Sequence, residues 1–254
     1  MKEVAPGHYA RKQIYSSSRL VRWSHRGRFR TARGLVAPFA GRRLLDYGCG
    51  DGTFLALVSD LFPDAVGVDA APDQIADCIR RFGAASRVSF ATTDRLSDPS
   101  EANRYDIVVC MEVLEHCPDD IQETVLDRIS DVTASGGTVV FSVPIEIGPT
   151  LVAKQGARAL LALGGLTDYA SRERYRPHEL MRMLFAGERT TIPREEFSSG
   201  GEGSMRFTGH KGFSWRRLRR AILRRFDVAR TLFSPLPALG ALLNSQVWFV
   251  CRKR

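Results

Sequence analysis

The sequence predicts a doubly wound α/β fold, and three observations carry that prediction. Residues 44–54, Leu-Leu-Asp-Tyr-Gly-Cys-Gly-Asp-Gly-Thr-Phe, read as a buried strand running into a glycine turn that opens a helix. Short apolar strands and helical stretches then alternate through residues 41–144, the rhythm of βαβ units around a parallel sheet. A chain of 254 residues that is 44% hydrophobic can bury one sizeable core, so a single domain with decorations is expected.

The elements follow in order. Residues 1–40 form an N-terminal helical arm, with Leu20, Val21, Trp23 and Phe29 as apolar anchors among arginines. In the turn after the first strand, Gly48, Gly50 and Gly52 remove every Cβ. A ligand can therefore approach the backbone, and the N–H groups that open the helix over 53–62 point toward it. The second strand, Val66-Gly67-Val68-Asp69, ends in an acid, and a helix over 73–82 capped by Asp73 leads to a third strand ending at Asp94. Residues 105–112 make the fourth strand. A helix over 119–133 carries Ile121, Val125, Leu126, Ile129 and Val132 at helical spacing, and residues 136–144 make the fifth strand. Residues 145–207 break the rhythm with an apolar stretch (151–166), a basic aromatic one (169–185) and a loose Ser-Gly loop (198–203), and are read as a lid insertion. Ser214 caps a helix reaching 226, and residues 226–232 and 245–251 supply two last strands. The domain proper is thus 41–254, with the lid at about 145–207.

The glycine run is not a dinucleotide fingerprint. Counted from Gly48, the sixth position is Thr53 rather than glycine, and the carboxylate of Asp46 before the turn would repel a pyrophosphate. Asp-x-Gly-x-Gly-x-Gly after an apolar strand instead resembles motif I of the class I S-adenosylmethionine-dependent methyltransferases. The segments ending at Asp69 and Asp94, the fourth strand into Met111 and Glu112, and the fifth strand resemble the motifs that follow, in order and at ordinary spacing. The resemblance implies a Rossmann-like sheet of about seven strands with the last antiparallel, and S-adenosylmethionine as methyl donor. Asp46, Gly48, Gly50 and Gly52 would shape the methionine pocket, Asp69 would hold the ribose, Asp94 the adenine, and Met111 and Glu112 would lie beside the sulfonium. Trp23, His25 and Arg26 of the arm would close over the methionine carboxylate.

The second informative run is Cys110-Met111-Glu112-Val113-Leu114-Glu115-His116. On a helical turn Glu112, Glu115 and His116 share one face. The run is similar to that of the O-methyltransferases of ubiquinone biosynthesis and of the small-RNA 3′-terminal ribose 2′-O-methyltransferases. In the latter a downstream histidine completes a metal site, and residues 209–215, which contain His210, are loosely similar to that region. His116 and His210 are the candidate catalytic residues, because an imidazole titrates where a general base needs to. No residue is assigned to a metal; a divalent ion is open but is not the expectation.

Composition narrows the partners. The net charge of +9 is concentrated in the arm and in Arg216, Arg217, Arg219, Arg220, Arg224 and Arg225, which either attract an anionic membrane surface or nucleic acid or are solvated helix faces. Five cysteines without a C-x-x-C pair argue against a zinc site or disulfide framework, and no run of eighteen apolar residues occurs. The expected location is the cytoplasm, with the inner membrane surface as an extension. The fourth motif continues Cys-Met-Glu, unlike the Asn/Asp-Pro-Pro-aromatic run of amino-methylating nucleic-acid enzymes. The expected reaction is O-methylation of a small molecule, glycan or lipid-linked intermediate. The alternatives are metal-dependent 2′-O-methylation of an RNA end and a cofactor-binding scaffold without turnover.

Overall fold

The computed structural model describes residues 7–15, 19–83, 86–163, 175–198 and 205–254. Its main sheet has seven strands: β1 (Leu44–Tyr47), β2 (Val66–Asp69), β3 (Ser89–Thr92), β4 (Tyr105–Met111), β5 (Thr133–Pro144), β8 (Phe226–Ser234) and β9 (Gln246–Lys253). A separate short hairpin is formed by β6 (Glu196–Ser198) and β7 (Arg206–Thr208). The sheet order is β3-β2-β1-β4-β5-β9-β8, in which β9 runs antiparallel to both neighbours and the five strands from β3 to β5 are parallel. The strand reversal between β3 and β4 places the carboxyl ends of β1 and β4 side by side, the usual ligand edge of an open α/β sheet.

Both faces of the sheet are covered, which is why its strands read as continuous apolar runs. Alternate residues of each strand go to opposite sides. Leu45, Val108, Cys110, Val139 and Phe141 pack under α4 (Asp119–Val132) and α7 (Trp215–Ile222), whereas Leu44, Ile107, Val109, Val140 and Trp248 pack under α1 (Arg19–Val36), α2 (Thr53–Val58) and α3 (Pro72–Phe82). The arm is part of this second layer, since Ala32 and Val36 of α1 are fully buried in it.

Several local expectations are corrected. Helix α3 starts at Pro72 with Ala71 as its N-cap and no side-chain cap, so Asp73 lies in the first turn instead. Proline presets the first helical φ and forces the residue before it to be extended. Helix α2 stops at Val58, and the chain turns before Pro63 rather than reaching 62. Strand β3 stops at Thr92, leaving Asp94 on a 3-10 turn. Ser214 does cap α7, accepting from Arg217 N at 3.4 Å, but α7 ends at Ile222. The segment after β5 contains α5 (Pro149–Leu163), α6 (Pro177–Leu184) and the β6–β7 hairpin. Of the expected basic aromatic stretch 169–185, residues 175–185 are described and contain α6, while 169–174 and nearly all of the loop at 198–203 lie outside the described residues.

Three of the six arginines of the second basic cluster pair with the acids of α4: Arg217 of α7 with Asp119 at 2.6 Å, and, just past α7, Arg225 with Glu123 at 2.8 Å and Asp127 at 2.5 Å, and Arg224 with Glu123. That half of the cluster is an ion-pair seam against α4 rather than an anion-attracting face. The five cysteines are free thiols, four of them buried. Among the described residues no helix is long and apolar enough to cross a membrane.

Candidate functional site

The glycine turn is built as its sequence requires. Gly48, Gly50 and Gly52 have φ of 76°, 52° and 69°, a region that costs side-chain-bearing residues about 1–2 kcal/mol. The amides of Gly48 and Cys49 both donate to Val68 O, at 2.7 and 3.0 Å, fixing the turn to the end of β2. Each glycine serves a different need. A Cβ on Gly48 would stand 2.2 Å from Val113, and one on Gly52 would meet Phe82 at 2.9 Å, whereas one on Gly50 would enter open space.

That open space is a cavity of about 650 Å³, lined by Asp46, Gly48 and Gly50 from the turn and by Met111 and Glu112 from the end of β4. Five expected cofactor residues are thus brought to one wall. Gly52 is not among them, because its role is to let α2 start against Phe82 and Phe90. Asp69 ends β2 with its two oxygens accepting from Gly50 N and Ala71 N, each at 2.9 Å, and Asp94 is exposed beyond β3. Neither lines the cavity, whose wall on that side is made by Asp73, Gln74 and Asp77.

The arm closes the other side. Ala10 N donates to Asp51 Oδ2 at 3.2 Å, and Gly7 lies so close to Asp51 that no Cβ would fit. His8, Tyr9 and Arg28 line the cavity. Arg28, rather than the expected Arg26, is the arm's cation there. It pairs with Glu112 at 2.8 Å and also donates to Tyr9 Oη and His25 Nδ1. On α1 His25 and Arg28 share the inward face at i and i+3, while Trp23 is exposed and Arg26 turns away to donate to Ile14 O at 3.3 Å. Burial pushes the Tyr9 hydroxyl up to about 12 and the His25 imidazole down to about 4, so the cluster carries a neutral tyrosine, a neutral histidine and one guanidinium. Glu112 has φ 56°, a strained backbone that turns its side chain out of the strand and into this cluster.

Beyond Glu112 the chain makes one 3-10 turn over 114–116. Glu115 is fully buried and both of its carboxylate oxygens lack a hydrogen-bond partner. Burial, then the charge of Glu112, holds its carboxyl well above the usual carboxylate range. His116 Nε2 stands 3.3 Å from His210 Nε2, across 94 residues of chain. Arg194 enforces that approach by donating to Cys117 O at 3.2 Å, to Gly209 O at 3.1 Å and to Glu115 O. Thr208 adds a hydrogen bond to Glu115 O at 3.2 Å, so the end of β7 is stitched to the turn after β4. Ligand-type atoms of Glu115, His116 and His210 all lie within 4.8 Å of one another. Burial, and secondarily the neighbouring His210, lowers the His116 pKa, which keeps its imidazole neutral. Arg28, Arg194 and Tyr9 were not singled out from sequence. Only Arg28 had a local signal, three residues after His25 on an amphipathic helix.

Asp46 provides a pH test of the cavity wall. It is buried at the end of β1, and loss of solvation, then the charge of Asp69, pushes its carboxyl up to about 8. The unfolded chain releases that proton near pH 4, so between about 4 and 8 the native state holds more protons and stability falls as pH rises. Asp46→Asn, which keeps the neutral shape, is expected to melt above the parent protein at pH 8 and to converge with it near pH 4. A melting difference equal at both pH values would contradict this.

S-adenosylmethionine fits this cavity by its volume, by the Cβ-free backbone at Gly50, and by the buried, partnerless Oε1 of Glu112 on its wall. Known proteins agree with the geometry. A family model described as "Methyltransferase domain" matches residues 23–185. The chain is 34% identical over 149 residues to a ubiquinone biosynthesis O-methyltransferase of Methylococcus capsulatus, an alignment covering 56% of this chain and 61% of that protein. One from Aliivibrio fischeri is 29% identical over 147 residues, covering 57% and 62%. The chain thus spans about three-fifths of the length of the curated relatives it matches. In fold it is similar to the PH0226 protein of Pyrococcus horikoshii, with TM-score 0.61, 16% identity, and coverage of 98% and 100%. It is also similar to the N-methyltransferase NodS of Bradyrhizobium japonicum in complex with S-adenosyl-L-homocysteine, with TM-score 0.55, 15% identity, and coverage of 99% and 95%.

Proposed function

The chain belongs to the methyltransferase-domain family, and from that premise we propose that it moves a methyl group from S-adenosylmethionine to an oxygen of a small molecule, glycan or lipid-linked intermediate. The observation that carries the oxygen acceptor is the His116–His210 pair just beyond Glu112, whose Nε2 atoms stand 3.3 Å apart. Bound in the cavity, the cofactor supplies a methyl group on a sulfonium, an electrophile with a good leaving group.

The residues of the chain do the rest. Asp46, Gly48, Gly50, Met111 and Glu112 hold the methionine end; Asp69 and Asp94, expected at the ribose and the adenine, lie off the cavity wall. Arg28 and Tyr9 bring the arm over the cavity and exclude water, which leaves the acceptor oxygen as the nucleophile at hand. His116 Nδ1 donates to Thr208 O at 3.2 Å, so in the neutral ring Nε2 carries the lone pair that takes the acceptor's proton. His210 Nε2, 3.3 Å away, shares that proton once it is accepted.

A second reading uses the same atoms for a divalent ion. The specific observation in its favour is Glu115, whose two buried oxygens lack partners beside two imidazole nitrogens. Mixed carboxylate and imidazole ligands suit Mg²⁺, Mn²⁺ or Zn²⁺, and such an ion would lower the pKa of an acceptor hydroxyl. One experiment separates the readings. Radiolabelled methyl transfer into host extract is partitioned into organic, aqueous-glycan and RNA fractions, with and without a chelator. Chelator-resistant label in the organic or glycan fraction supports the first reading, and chelator-sensitive label supports the ion. Label in RNA alone would replace the substrate class, and cofactor binding without label in any fraction would make the chain a scaffold.

A lipid acceptor draws support from the loop between β8 and β9. Leu236, Leu239, Leu242 and Leu243 are all exposed there, the last two at 61%. Buried Asn244 bonds the backbone of Leu236 and Gly240, and Thr150 donates to Ala241 O and Leu242 O, so the loop's own polar groups are satisfied while its leucines face outward. That arrangement suits shallow contact with a bilayer surface on the cytoplasmic side. Failure to sediment with phosphatidylglycerol vesicles would remove the membrane from the reading.

A further inference from the structure

Two charged residues behind the histidine pair have no part in the reading above. Glu146, two residues past the end of β5, is 1% exposed. Lys154 of α5 donates to Glu146 Oε1 and to Ile145 O, each at 2.9 Å. The same oxygen, Oε1, also stands 3.6 Å from His210 Nδ1. A buried ion pair is weak evidence for stability, because desolvation offsets the attraction and an apolar pair of like size often serves as well. The carboxylate does one thing an apolar side chain cannot: it accepts a proton donor.

We propose that Glu146, clamped by Lys154, is the positioning residue of His210, holding it as the Nδ1–H tautomer so that the Nε2 lone pair faces His116. The proposal rests on the reading that His210 works at this site. An ionised carboxylate has only acceptor oxygens, so the ring nitrogen facing it must carry the proton. The Lys154 ammonium, 2.9 Å from Oε1, pairs with the carboxylate, so the oxygen that faces His210 is an acceptor. His116 is fixed in the same sense from its own side, because a backbone carbonyl also only accepts.

Two consequences follow. The two Nε2 atoms, 3.3 Å apart, then both turn their lone pairs to the same point, where an acceptor's proton would arrive. Lys154 belongs to α5, the first helix of the inserted segment, so the docking of α5 sets the tautomer of His210. The insertion then shapes the chemical machinery as well as covering the site. Carboxylates and carbonyls orient working imidazoles in this way in metal and triad sites, where losing the partner lowers activity about 10–100-fold.

The test reads the tautomer directly. Protein with ¹⁵N-labelled histidine and bound S-adenosylhomocysteine is examined by long-range ¹H–¹⁵N correlation, His210 being assigned by the signal missing in His210→Ala. The parent protein is expected to show His210 protonated at Nδ1. Glu146→Met alone would strand the Lys154 charge and endanger the fold, so the informative variant is Glu146→Met with Lys154→Met, which removes both charges together. It is expected to keep its fold and cofactor affinity, to move His210 to the Nε2–H tautomer, and to lower the initial rate of label transfer into extract at saturating donor about 10–100-fold. Glu146→Gln, whose amide oxygen can still accept, is expected to recover part of both. His210 remaining Nδ1–H in the double variant, or an unchanged rate after the tautomer has moved, would overturn the proposal. Full activity in His210→Ala would instead remove His210 from the proposed function, leaving the tautomer result to stand alone.

Discussion

His116→Ala is expected to lower the rate of methyl transfer about 10²–10³-fold at saturating donor, while S-adenosylmethionine affinity measured by calorimetry stays within about twofold. The asymmetry follows from placement. His116 lies past Glu112, off the cavity wall, so its loss removes a proton acceptor without touching the cofactor's surroundings. Its side chain is about half exposed and gives up one hydrogen bond, to Thr208 O, so the fold is expected to lose about 1 kcal/mol. A drop in cofactor affinity parallel to the drop in rate would show that His116 shapes the binding site instead. A rate unchanged within a factor of about three would remove it from the chemistry altogether.

Arg28→Met is expected to destabilise the protein by about 3 kcal/mol and to weaken cofactor binding at least about tenfold. Its guanidinium is 8% exposed and joins Glu112, Tyr9 and His25, with the Tyr9 and Phe29 rings within 6 Å of it. Methionine replaces the volume but leaves the Glu112 carboxylate, one of whose oxygens already lacks a partner, without its cation. Removing one member of a buried pair costs about 3–5 kcal/mol, and the lower end applies because Glu112 keeps some access to solvent. A loss of that size lowers the melting temperature of a domain this long by about 6–12 °C. The arm should loosen with it, since Arg28 is what ties α1 to the end of β4. Adding Glu112→Gln to Arg28→Met is expected to restore part of the stability, because it removes the stranded charge. A single variant melting within about 2 °C of the parent would mean that the pair contributes nothing.

Much of this molecule was legible in its sequence, and the legible part has a common physical cause. The glycine turn, the acid at the end of β2 and the apolar strands each announce themselves within a few residues, because backbone conformation at positive φ and burial on both sheet faces constrain residue type locally. The antiparallel last strand came through resemblance rather than periodicity, and β9 has that direction; its place between β5 and β8 was not read from the sequence. The errors sit at element ends, where a single residue such as Pro72 overrides the wider pattern.

What the sequence by itself determined was the fold, the cofactor turn and the nearness of Glu115 to His116, all of which depend on neighbours along the chain; Glu112, expected on the same face, instead turns at φ 56° to Arg28 and the cavity. Only the tertiary structure decided that His210 meets His116 nose to nose, that Arg28 and not Arg26 enters the cavity, and that Glu146 and Lys154 stand behind the pair. These contacts join residues far apart in sequence through the hairpin, α5 and the arm, whose chain reversals carry no periodic signal. Their partners are single charged side chains that in the sequence look the same as the solvated ones, and burial alone tells them apart.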